Sequence, residues 1–233
     1  MRVLITRPAE DAEVFAARLR ELGHDVLNAP LLSVRFHDGP PLALDGVEGI
    51  LATSANGVRT LVRRTQRRDI PLYAVGPQTA EAARQAGFVK VESADGDVVA
   101  LAKALPQWVA PGAKLLHATG AEGEGRLASL LADKGYDVRS AVLYDVVAST
   151  ALPEFVIRAL SDHALDAAFF FSPRSAKVFA ECIAEARLTE VCARLTVFCI
   201  SEATAAGLAP LGFASCRIAA RPNQDALLAC LDE

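Results

Sequence analysis

The sequence repeats itself in order. Gly23-His24-Asp25-Val26 returns as Gly135-Tyr136-Asp137-Val138, "TSANGVRTLV" (53–62) as "FSPRSAKVFA" (171–180), and "VGPQTAEAARQAGF" (75–88) as "ISEATAAGLAPLGF" (200–213). The offsets are 112, 118 and 125 residues (23 to 135, 53 to 171, 75 to 200), so the order of landmarks is kept and only loops differ. A chain built this way is expected to fold as two copies of one unit of about 110 residues rather than around one large core.

Within each copy, short apolar runs alternate with amphipathic stretches. Strands are expected at 2–6, 25–28, 49–53, 71–75, 89–92, 114–118, 167–171, 196–200 and 215–219, with longer extended runs at 31–36 and 137–147. Helices are expected between them, for example where Ala12, Phe15, Leu19 and Leu22 share one face before Gly23, and over 56–68 and 154–161. Alternation of this kind predicts an α/β protein whose parallel sheets are covered by helices on both faces. Five short strands per copy predict two flavodoxin-like domains. "LLSVRF" (31–36) and "VLYDVV" (142–147) occupy matching places in the two copies. They could run side by side as a two-stranded β ribbon joining the domains. The sequence permits either two consecutive domains or an exchange at this ribbon.

The most informative turn is Ala52-Thr53-Ser54-Ala55-Asn56-Gly57-Val58-Arg59, which takes a strand directly into a helix. The first backbone N–H groups of a helix lack intrahelical acceptors, and with the positive end of the helix dipole they seat a carboxylate or phosphate. The same design returns at Phe171-Ser172-Pro173-Arg174-Ser175, and two related turns start at Gly76 and Ser201.

Charge and cysteine usage exclude several classes. The chain has 24 basic and 28 acidic residues, a net charge of −4, and no basic run beyond Arg63-Arg64 and Arg67-Arg68, which read as a solvated helix face. No nucleic-acid partner is expected. Cys182, Cys192, Cys199, Cys216 and Cys230 form no Cys-x-x-Cys pair and read as reduced core thiols of a cytoplasmic protein. The four histidines (24, 37, 117, 163) show no metal-ligand spacing. Met1 to Ile5 enter a strand pattern at once, so no signal peptide is expected, and no apolar run is long enough to span a membrane.

Taken in order, these landmarks resemble the uroporphyrinogen-III synthase family: Ile5-Thr6-Arg7-Pro8, Pro30-Leu31, Thr53 to Arg59, Val75-Gly76-Pro77-Gln78-Thr79-Ala80, Val142-Leu143-Tyr144, Phe171-Ser172-Pro173 and Thr204-Ala205. The resemblance covers nearly the whole chain. It implies the exchanged topology, with a first domain of 1–35 plus 150–233, a second of 40–142, and linkers at 36–39 and 143–149. It also implies an enzyme that closes the linear tetrapyrrole hydroxymethylbilane to uroporphyrinogen III, with loss of water, inversion of ring D, and no cofactor or metal. Loss of the hydroxyl forms an azafulvene, attack at the substituted carbon of ring D forms a spiro intermediate, and fragmentation and reclosure reverse the ring. A monomer is expected. So is a site in the cleft between the domains.

The residues suit such a substrate. It carries eight carboxylates while the protein is net acidic, so binding must use local donors at the helix starts. The substrate-binding candidates are Arg7, Thr53, Ser54, Ala55, Asn56, Gly76, Thr79, Ser172, Pro173, Ser201 and Thr204. The resemblance makes Tyr144 the catalytic candidate, with a hydroxyl that assists loss of the substrate hydroxyl. Plain N-caps are the structural alternative for Ser54 and Ser172, whose repeated placement favours ligand contact, while Thr79 and Thr204 serve equally well as residues that bond their own backbone. His117, at a strand end, is placed to act as an acid or base but reads more readily as a satisfied buried imidazole, and Glu122 and Glu124 read as solvent-exposed. Ser201 stands where the first copy has Gly76 and tolerates positive φ less well. Glu202 beside it would repel carboxylates if it faced the cleft. A competing reading is a two-lobed binding or sensor protein that clamps an anionic small molecule without chemistry. A sensor would be expected to carry an output domain, for which the two copies leave no spare residues. A nucleotide enzyme is the weakest reading, because no Gly-x-Gly-x-x-Gly turn is present.

Overall fold

A computed structural model describes residues 1–232 of the protein, and of residues 9–11 the backbone alone. Glu233, which closes the expected first domain, lies outside them. The chain divides into two compact units, Met1–Ser33 with Val147–Glu233, and Val34–Val146.

The first unit is a five-stranded sheet in the order β2 (Asp25–Asn28), β1 (Arg2–Ile5), β9 (Ala167–Phe170), β10 (Thr196–Cys199), β11 (Ser215–Ile218), parallel throughout. Its strands are apolar along their length because both faces are covered. Val3, Ile5, Ala167, Phe169 and Phe198 point to one face, where Phe15 and Leu19 of α1 (Ala9–Glu21) and Leu227 and Leu228 of α10 (Gln224–Ala229) pack. Leu4, Ala168, Phe170, Val197 and Cys199 point to the other. There they meet Val156 and Leu160 of α6 (Glu154–Ser161), Phe179 and Ile183 of α7 (Pro173–Glu185), and Cys192 of the short α8 (Thr189–Cys192). Successive strand residues alternate between the two faces, as the pleat requires. Each fully buried phenylalanine contributes about 1.5–3 kcal/mol of hydrophobic stabilisation.

The second unit carries β8 (Asp137–Ala148), β7 (Lys114–Gly120), β4 (Gly49–Ala52), β5 (Leu72–Ala74) and β6 (Val91–Ser93) in that order, joined parallel. One face packs on α2 (Ala55–Arg64) and α3 (Pro77–Gln85), and the other on α4 (Val98–Ala104) and α5 (Arg126–Ala132). This sheet has six strands rather than the expected five, because β3 (Leu32–Phe36) lies beside β8. His37 N–H donates to Leu143 O, Ser33 Oγ lies 3.5 Å from Val147 O, and Ser149 N–H donates to Leu31 O. The partner number falls as the first rises, so the two strands run antiparallel. Together they form the ribbon along which the chain passes between the units.

Two local expectations are corrected. The second helix ends at Arg64, not at residue 68, and of the four arginines expected on a solvated face Arg63 and Arg67 are exposed whereas Arg64 and Arg68 are half-buried. Thr65 is extended (φ −157°, ψ 148°), and its Oγ1 accepts from Arg67 N–H. The Arg68 guanidinium donates to Thr65 O and Ala86 O and lies over the Phe88 ring. These side-chain bonds to backbone compete with a further helical turn. Arg63 lies over Phe36, and Arg64 donates to His37 O and Pro40 O. Arg67 alone is surface-paired, with Asp69. Of the five cysteines, expected in the core, four are buried and Cys216 is exposed. Burial pushes the Cys192 thiol up to about 12.

Candidate functional site

The four strand-to-helix turns share one backbone. Ser54 (φ −156°, ψ 155°), Gly76 (−159°, 175°), Ser172 (−158°, 150°) and Ser201 (−162°, 163°) are all extended N-caps. Neither position has a positive φ, so the lower tolerance of serine for it does not come into play, and Ser201 is unstrained in the place of Gly76. A Cβ at Gly76 would meet only Gly96 O, at 3.6 Å. The three serines each accept from the N–H three residues on, of Gly57, Ser175 and Thr204. Gly76 offers no cap, so the start of α3, opened by Pro77, keeps its first donors uncapped by a side chain.

Each unit sets two such starts side by side, because the strands that lead into them are neighbours. In the second unit these are α2 after β4 and α3 after β5; in the first, α7 after β9 and α9 (Glu202–Ala206) after β10. Thr53, Ser54, Ala55, Asn56, Gly76 and Thr79 thus collect along one sheet edge, and Arg7, Ser172, Pro173, Ser201 and Thr204 along another. Arg7 follows β1, and its guanidinium lies over the Phe171 ring, 4.6 Å from the centroid. The hydroxyls of Ser172 and Ser175 lie 3.0 Å apart, as do those of Ser201 and Thr204. Thr79 and Thr204 are buried in the first turns of α3 and α9. Asn56 is held by Arg59, whose Nη1 donates to Oδ1 at 2.8 Å. Glu202, Glu122, Glu124 and Arg126 are exposed, and Arg174 is half-buried.

Tyr144 belongs to the second-unit set. The pairing of β7 with β8 slips by one residue, from Thr119 opposite Val142 to Gly120 opposite Tyr144. Leu143 is the extra residue, and the bulge buries both Leu143 and Tyr144 against the same core. Gly120 is required there by close approach: a Cβ would lie 2.6–2.8 Å from the Tyr144 ring. The phenol, 7% exposed, reaches the α2 start, where its Oη lies 2.7 Å from Ser54 Oγ. Gly57 completes the arrangement. A Cβ on it would lie 2.7 Å from the backbone oxygen of Ala118 on β7. Gly57→Ala is therefore expected to push α2 off β7 and destabilise the protein by about 1–3 kcal/mol, read as a lower urea midpoint with an unchanged slope.

The buried His117 is satisfied at one nitrogen only, which corrects the reading of a fully satisfied imidazole. Its Nε2 lies 3.2 Å from Thr53 Oγ1, while no hydrogen-bond partner reaches Nδ1 among the described residues. The ring is 1% exposed, and burial holds its pKa down to about 4. On the ribbon, Asp145 accepts from Arg35 at 2.7 Å and from His37 Nε2 at 2.9 Å. Those bonds, from Arg35 first, hold its carboxyl below the usual range. In the sequence Gly57 shows only as part of the Ser54 turn, Gly120 as a glycine after the run 114–118, and His117 as a polar residue inside Leu115-Leu116-His117-Ala118.

A family model described as uroporphyrinogen-III synthase HemD matches residues 13–229. The chain is similar to the crystal structure of uroporphyrinogen-III synthetase from Helicobacter pylori, at 20% identity with 99% of this chain and 98% of that one covered and a TM-score of 0.66. It is also similar to a mutant uroporphyrinogen III synthase from Thermus thermophilus, at 20% identity, 100% and 99% coverage and a TM-score of 0.55. At these identities the likeness shows the shared two-domain α/β fold. A Methanocaldococcus jannaschii protein named as a candidate uroporphyrinogen-III synthase is 29% identical over 105 residues, which span 42% of each chain.

Proposed function

The chain belongs to the uroporphyrinogen-III synthase family, and from that premise we propose that it closes hydroxymethylbilane to uroporphyrinogen III with loss of water and inversion of ring D. The observation that carries the reading is the bond between Ser54 and Tyr144 at the start of α2. Gly57 N–H donates to Ser54 Oγ. If the serine hydroxyl passes its proton toward the phenol oxygen, the Tyr144 O–H is left to donate to the substrate hydroxyl. Such a relay strengthens each donor along it. Tyr144 then protonates the leaving hydroxyl, the carbon–oxygen bond breaks, water departs, and the pyrrole nitrogen's electrons form the azafulvene. Closure of the ring releases one proton and restores the phenol.

The remaining donors hold the substrate. Its carboxylates would be taken by donors at Thr53, Ser54, Ala55, Asn56, Gly76 and Thr79 in one unit, Ser54 through its backbone N–H alone because the relay spends its hydroxyl hydrogen on Tyr144. In the other, Arg7, Ser172, Pro173, Ser201 and Thr204 form the matching seat. The pyrrole is itself a strong nucleophile, so the enzyme's task is to present one carbon rather than another. In this reading the two units act as the functional domains of a cytoplasmic monomer that needs no cofactor. The net charge of −4 supports a partner list without nucleic acid. No helix among the described residues is long and apolar enough to cross a membrane.

The test is product identity. Freshly prepared hydroxymethylbilane closes spontaneously to the symmetrical isomer I, and with the protein present isomer III is expected to dominate. An isomer ratio unchanged by the protein refutes the proposal.

A further inference from the structure

We infer that His117 is a positioning residue that holds the Thr53 hydroxyl as a hydrogen-bond donor for a carboxylate of the substrate. The inference rests on the proposed function and assigns this imidazole a place in it.

The two copies of the fold make the comparison internal. His117 on β7 stands opposite Leu51 on β4 in the same register as Ile5 on β1 opposite Phe169 on β9. Two residues beyond those partners come Thr53 and Phe171. In the first unit this pair is apolar: Ile5 is in the core and Phe171 packs against it. In the second unit the same fold position carries a histidine and a threonine, 3.2 Å apart. An aliphatic and an aromatic side chain therefore suffice for packing at this place. The polar pair is the more expensive solution, because a buried imidazole with one nitrogen unpartnered loses hydration that nothing returns.

The unpartnered nitrogen also sets the direction of the bond. Burial keeps the ring neutral, so it carries one N–H. If Nδ1 held the proton, a buried N–H would have no acceptor, and orphaned buried N–H groups are rarer than unfilled acceptors. The proton therefore belongs on Nε2, which donates to Thr53 Oγ1. The Thr53 hydroxyl then spends its own hydrogen elsewhere. Thr53 is half-buried and immediately precedes the cap of α2. Its neighbours in the chain are the N–H groups of Ala55 and Asn56, the first two of that helix, which have no intrahelical acceptor. A carboxylate accepts only, and a hydroxyl constrained to donate beside two free N–H groups complements it.

The experiment has two arms. In the first, protein labelled with ¹⁵N at histidine is examined near neutral pH. Nε2 of His117 is expected to carry the proton, and a proton on Nδ1 overturns the inference. In the second, His117→Ile (the residue of the other unit) and Thr53→Val are each expected to raise KM for hydroxymethylbilane ~10-fold, the scale of one charge-assisted hydrogen bond. Each should leave kcat within about two-fold, as loss of uniform binding does. The double variant should be no worse than either, because both remove the same donor. His117→Gln, whose amide can donate to Thr53, should stay near wild type. Additive losses, a fall in kcat alone, or failure of glutamine to rescue overturns the inference, and the glutamine variant keeps it testable if isoleucine prevents folding. If the wild-type protein fails to direct closure to isomer III, the proposed function falls while the labelled spectrum still reports on the tautomer.

Discussion

Tyr144→Phe is expected to lower kcat for hydroxymethylbilane closure ~10-fold or more, the scale of one positioned proton donor. Phenylalanine keeps the ring that packs on Gly120 and removes only the O–H that reaches Ser54. Ser54 Oγ retains its bond from Gly57 N–H, so the loss of stability should stay within ~1 kcal/mol. Activity and stability are thereby separated by one atom. Ser54→Ala is expected to cost less, ~1 kcal/mol of transition-state stabilisation, because Tyr144 keeps its proton and loses only its orienting partner. The double variant should be no slower than Tyr144→Phe, since the serine acts through the phenol. Single-turnover rates on folded proteins check the series. A folded Tyr144→Phe protein within about two-fold of wild type would move the proton donor to another residue.

The second large effect is on stability, and its pH window follows from His117. The ring is neutral and buried, with its pKa lowered from 6.5 to about 4 by desolvation. Between those values the unfolded chain binds the proton that the folded chain refuses. Stability is therefore fully present above pH 6.5 and falls as the pH drops toward 4, by about 3 kcal/mol for a shift of this size. His117→Gln cannot take up the proton and should lack this component. The difference in urea unfolding free energy between the two proteins should change by that amount between pH 7 and pH 4. Parallel curves would show that the folded protein accepts the proton. Asp145 bears on a lower window: its depressed carboxyl contributes stability that is lost only below the ordinary carboxylate range.

Much of this architecture was legible locally. Alternation of short apolar runs with amphipathic helices reports covered parallel sheets, because both faces of strands such as Ala167–Phe170 and Gly49–Ala52 are buried. A serine between a strand and a helix reports a cap, and Ser54, Ser172 and Ser201 all cap, since that bond spans only three residues. Where side chains reached further, local reading failed. The arginines at 64 and 68 look like a solvent face by spacing, yet the His37 and Pro40 carbonyls, and Phe88 with the Ala86 carbonyl, claim them, whereas Arg63 and Arg67 do stay exposed.

The sequence by itself determined the element types, the two-fold repetition, the caps and the family. The tertiary structure alone decided how they combine. Ile5 pairs with Phe169 and Leu51 with His117 through contacts between residues far apart in the chain, which no periodicity records. The bulge at Leu143 likewise exists only in the ladder with β7. Without that extra residue the alternation of the strand would send Tyr144 to the opposite face, away from Ser54. The environment that keeps His117 neutral is made by neighbouring strands and the helices over them. Patterns of spacing describe what one segment prefers, whereas burial, register and the direction of a hydrogen bond belong to pairs of segments and arise only when those segments meet.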